Sequence, residues 1–68
     1  MTSKKIETAI NLVLTMAIED HARNKSISVA ESRRIILASK AVEKLMDPET
    51  GVWKEGPDAF LELMEAIG

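Results

Sequence analysis

A single histidine, His21, directly follows Asp20, the one place where an imidazole and a carboxylate adjoin. Such a pair could serve acid–base chemistry or hold a metal if further groups converged on it, zinc taking three or four ligands. On a helix, however, adjacent residues project about 100° apart, so Asp20 does not orient the ring. Glu7 and Glu19 fall on the polar side of the same segment. The ordinary reading is preferred: a solvated or interfacial histidine near a helix C-terminus, where its cationic form is favoured. The stretch Asp47 to Asp58 has acids at its first, third and last positions, the outline of a calcium loop. Its sixth position, where the bend needs glycine, is Val52, and Lys54 would place a cation among the ligands. Calcium is rejected.

Other chemistries fare no better. No G-x-S-x-G elbow surrounds a serine, and Ser28 and Ser39 are better placed as helix caps. Only three glycines occur, in neither a P-loop nor a dinucleotide-binding pattern. Asp58, Glu62 and Glu65 share the solvent side of a short helix, an ordinary charged face. The chain has no cysteine, hence no disulfide and no thiolate metal site. The expectation is a non-enzymatic protein without catalytic, metal-binding or cofactor-binding residues.

Arg33, Arg34, Lys40 and Lys44, set against Glu31 and Glu43, leave the second third of the chain basic by two charges. Two short helices there would be compatible with a helix-turn-helix. The recognition element, Lys40 to Met46, offers two lysines and is otherwise mostly apolar. A solvated face is the preferred reading. These four residues remain the candidate contacts of a second reading, an antitoxin-like or regulatory nucleic-acid binder.

The elements that must position these groups belong to a chain of 68 residues, one domain spanning 1–68. With nine Lys and Arg against eleven Asp and Glu, it lacks the global basic footprint of a nucleic-acid binder. Hydrophobic residues at 46% and charged residues at 29% are those of a folded globule. No apolar run approaches the roughly 20 residues of a membrane span. Lys4-Lys5 and the apolar stretch after them imitate a signal peptide, but Glu7, Asn11 and Thr15 interrupt it and no small-x-small cleavage site follows. A cytoplasmic protein is expected.

Residues 3–23 read as a helix, capped by Thr2 or Ser3 and left through Asn24 into a loop at 24–26. Ile6, Ala9, Ile10, Leu12, Val13, Leu14, Met16 and Ala17 fill an arc of roughly 200°, about twice what a one-sided surface helix requires. This helix is therefore expected to be central, touching several elements or a second subunit. A capping box at Ser28–Glu31 opens the next helical stretch. Its apolar face rotates between Ile36-Leu37 and Ala41-Val42, predicting a break near Ala38-Ser39, with Ser39 as the next cap; one continuous helix over 29–46 is the alternative. Asp47-Pro48-Glu49-Thr50-Gly51 is a turn, and Val52-Trp53-Lys54 reads as extended. Pro57 opens a last helix whose inward face is Phe60, Leu63, Met64 and Ile67. Trp53 is read as either a lid on the core or an interface anchor, core closure being preferred.

The stretch Leu45-Met46-Asp47-Pro48-Glu49-Thr50-Gly51-Val52-Trp53-Lys54-Glu55-Gly56-Pro57, with Ser39-Lys40-Ala41 before it, resembles a group of short bacterial proteins. Their pattern is a helix, a D-P-E-T-G-x-W turn and a closing acidic helix. The resemblance covers about the C-terminal half and implies a small helical fold. The group has no assigned function, some members being encoded beside toxin–antitoxin or regulatory genes, so no residue role carries over.

The expected fold is thus all-α: three or four helices around a long N-terminal helix, with a Pro/Gly turn segment at 47–57. The expected role is a protein–protein interaction module, self-associating as a homodimer, with an unidentified protein as a further partner. Its candidate interface residues are Ile10, Val13, Met16 and Trp53.

Overall fold

The computed structural model describes residues 3–68 and is all-α, with five helices and no strand among those residues. Helix α1 (Lys4–Lys25) begins where the Ser3 hydroxyl accepts from the Ile6 amide at 3.2 Å; Thr2, the alternative cap, lies outside the described residues. It runs two residues past the expected end. The left-handed exit is Ser26 at φ 57°, not Asn24, and the Ile27 amide donates to the Ala22 carbonyl at 3.0 Å. Arg23 and Lys25 complement the negative end of the added turn.

The break near Ala38-Ser39 is present. Helix α2 (Val29–Leu37) is capped by the Ser28 hydroxyl, which accepts from the Glu31 amide at 3.0 Å. Only that half of the capping box forms, because the Glu31 carboxylate turns to Arg34 instead. Helix α3 (Ala41–Met46) follows without a side-chain cap. Ser39 serves the preceding helix: its hydroxyl donates to the Ile36 carbonyl at 2.7 Å. The start of α3 is closed from a distance, the Ala41 amide donating to the Gly68 carbonyl at 3.1 Å.

Asp47 accepts from the Glu49 amide at 3.0 Å and opens a single 3₁₀ turn (Pro48–Thr50) that leaves through Gly51 at φ 74°. The next segment is helical, not extended: α4 (Val52–Glu55) forms because Gly51 redirects the chain and the Trp53 indole is tethered, Nε1 donating to the Pro48 carbonyl at 2.9 Å. Gly56, at φ 91° and ψ 176°, then joins α4 to α5 (Pro57–Ile67). That conformation is essentially reserved for glycine. A Cβ at Gly56 would meet nothing within 4 Å, so Gly56→Ala isolates the backbone strain. Urea denaturation is expected to show a loss of about 1–3 kcal/mol; no loss would remove the strain argument.

One core joins the helices: Ile10, Val13, Ala17 and Ile18 from α1, Ile36 from α2, Ala41 and Leu45 from α3, and Phe60 from α5. Val52 and Trp53 of α4 pack against its edge with Leu63 and Met64 of α5. Ile67, expected on the inward face, is exposed in the last turn of α5, where the backbone of Gly68 rather than the Ile67 side chain meets α3.

Candidate functional site

The buried residues first show what the surface does not contain. His21, expected to be solvated or interfacial, is buried where α2 folds back over the end of α1. Its Nδ1 lies 2.7 Å from the Ser32 hydroxyl, and that hydroxyl donates to the Ile18 carbonyl, also at 2.7 Å. The serine's one proton is committed to the carbonyl, so Nδ1–H is the donor to the serine oxygen. This chain of two hydrogen bonds pins α2 to α1 through side chains eleven residues apart. It is a structural role. Ser32→Ala would strip the imidazole of its partner and cost about 1–3 kcal/mol in denaturation, with part recovered when His21→Leu is added.

Ile10 and Val13, expected at an interface, are only 3% and 8% exposed, enclosed by their own chain. The wide apolar arc of α1 is nevertheless not fully covered. Leu12 is 59% exposed and Met16 is 43% exposed, one turn apart on the side of α1 away from the core. Trp53 is half-buried against the core, its indole bonded to Pro48 and Lys54 Nζ lying 5.5 Å from its ring centre. Core closure accounts for it. The residue missed was Leu12, whose exposure follows from angular position: the core claims the flank holding Ile10, Val13 and Ala17.

The basic candidates are exposed, Arg33 and Arg34 on α2, Lys44 on α3 and Lys40 just before α3, but they differ in what they face. Arg34 is engaged with Glu31 of its own helix. The guanidinium's hydrogen bond and charge hold the Glu31 carboxyl below its ordinary pKa, and the carboxylate raises that of Arg34. With a depressed folded-state pKa, any stability from Glu31 is present above the usual carboxylate range and is lost as pH falls through the lowered value. The solvent around this surface pair keeps that contribution small. Arg33, Lys40 and Lys44 form no ion pair among the described residues. Lys40 and Lys44 belong to the start and body of a helix of six residues, roughly 9 Å long, which offers little length to a major groove.

Acidic side chains collect elsewhere. Asp58, Glu62 and Glu65 line a shallow crevice with Asn24 and Leu61 between the end of α1 and α5, where Glu65 approaches Lys25 Nζ at 3.8 Å. A second crevice, formed by Glu7, Ile10, Asn11 and Met46, marks where the end of α3 lies along α1. Asp47, the first acid of the rejected calcium loop, spends its carboxylate on the Glu49 amide. Among the described residues, no three His, Asp or Glu side chains are grouped so as to hold a metal ion, and no helix is long and apolar enough to cross a membrane. Comparison of the chain with family models, curated proteins and solved structures finds no match. The outer surface of α1 around Leu12 and Met16 is left as the candidate site.

Proposed function

We propose that this chain is a non-enzymatic, cytoplasmic protein–protein interaction module that associates with itself. The observation carrying this reading is the exposure of Leu12 and Met16 on the longest helix, beside a core that already encloses Ile10 and Val13. Large apolar side chains also remain exposed at Val29, Leu37 and Met46. Isologous pairing would cover apolar area that so short a chain leaves in water. Sedimentation equilibrium from micromolar to millimolar concentration is the test. A mass rising from 7.5 kDa toward twice that value supports self-association, and 7.5 kDa throughout refutes it.

A second reading, regulatory nucleic-acid binding, is favoured only by the unpaired, exposed Arg33, Lys40 and Lys44. It requires duplex binding that weakens steeply with salt and disappears on charge reversal at those positions. No binding at low salt would eliminate it.

A further inference from the structure

Lys5, Leu12 and Glu19 lie seven residues apart on α1, and all three are exposed. Seven residues are within about 20° of two full turns, so the three share one stripe, with roughly 10 Å between successive positions. The stripe has an apolar centre and opposite charges at its ends. Neither Lys5 nor Glu19 belongs to an ion pair among the described residues. Asp20, next to Glu19, is ion-paired with Arg23 of its own helix, so the uncompensated charges flanking Leu12 on the stripe are Lys5 and Glu19.

Resting on the self-association proposed above, we infer that the occupant of this stripe is the same stripe of a second copy, antiparallel, with the two-fold axis at Leu12. In that register, Leu12 meets Leu12 of the second copy. Lys5 faces Glu19 of the second copy, and the same pair repeats on the other side of the axis. Met16 comes over Ala9 and Thr8 of the second copy, a long flexible side chain above two small ones. A parallel arrangement would set Lys5 on Lys5 and Glu19 on Glu19, so the charges select the antiparallel one. Antiparallel pairing also sets the positive end of each helix beside the negative end of the other.

Charge reversal tests the register. Lys5→Glu and Glu19→Lys, each alone, place two like-charged pairs in the dimer and are expected to weaken association about tenfold at low salt. Combining both changes in one chain restores opposite pairs and native association. Mixing the two single variants does the same, because each then faces its complement. Both positions are exposed, and unchanged far-UV circular dichroism shows that the variants fold. If the single variants associate as well as the native chain, the α1 pairing is overturned while self-association through another face stands. If the native chain is monomeric at millimolar concentration, both proposals fail together.

Discussion

Phe60→Ala is expected to leave the protein largely unfolded at 37 °C. Phe60 is fully buried on α5, within the core that joins α1, α3 and α5. Truncating such a ring costs about 3–5 kcal/mol through lost transfer energy and the cavity left behind. A chain of 68 residues has only about 3–10 kcal/mol of stability in all. The loss therefore consumes most of the margin. Phe60→Leu keeps most of the volume and is expected to cost about 1–1.5 kcal/mol. Urea denaturation followed by circular dichroism reads both; a Phe60→Ala loss below about 1 kcal/mol would mean that α5 is not part of the cooperative core.

Leu12→Asp is expected to do the opposite: leave the fold intact and abolish association. At 59% exposure, Leu12 contributes little to its own monomer, so stability should change by only about 0.5 kcal/mol. At the two-fold axis the substitution removes two apolar contacts and sets two aspartates against each other. Association is then expected to weaken by about a hundredfold or more, the loss of two exposed-to-buried leucines alone being worth roughly 3 kcal/mol. Ile10→Asp, only two residues away, should unfold the chain instead, because Ile10 is enclosed. If Leu12→Asp associates like the native protein, the surface of α1 is not the interface.

Much of the architecture is local and was legible. Ser3 and Ser28 cap helices because short hydroxyl side chains reach the amide three residues on. The rotated apolar face at Ile36–Ala41 does mark a break, and Asp47-Pro48 does open a turn that leaves through Gly51. The misreadings arise where tertiary contact decides. Val52–Glu55 coils because Trp53 reaches back to Pro48, a tether that a four-residue segment does not advertise. His21 lost its expected solvent to Ser32, whose burial no pattern in α2 signalled.

The candidate surface is an intermediate case. An arc of roughly 200° on α1 shows that some apolar residues must stay uncovered, but not which ones. That depends on where α2 and α5 settle. They take the flank of Ile10, Val13 and Ala17, so Leu12 and Met16 are left outside, between Lys5 and Glu19. Ile10 and Val13 are therefore enclosed, and the proposed interface is placed at Leu12 and Met16 on the same helix.

The most direct measurement uses the absence of cysteine from the chain. Leu12→Cys introduces one thiol at the proposed two-fold axis, where head-on pairing of the two helices would bring the Cβ atoms of two copies within disulfide reach. Under mild oxidation and dilute conditions, this variant should convert nearly completely to a covalent dimer, while Glu62→Cys, on the exposed side of α5, stays reduced. Equal, slow cross-linking of the two variants would contradict the account, because it would show that Leu12 does not meet its own copy.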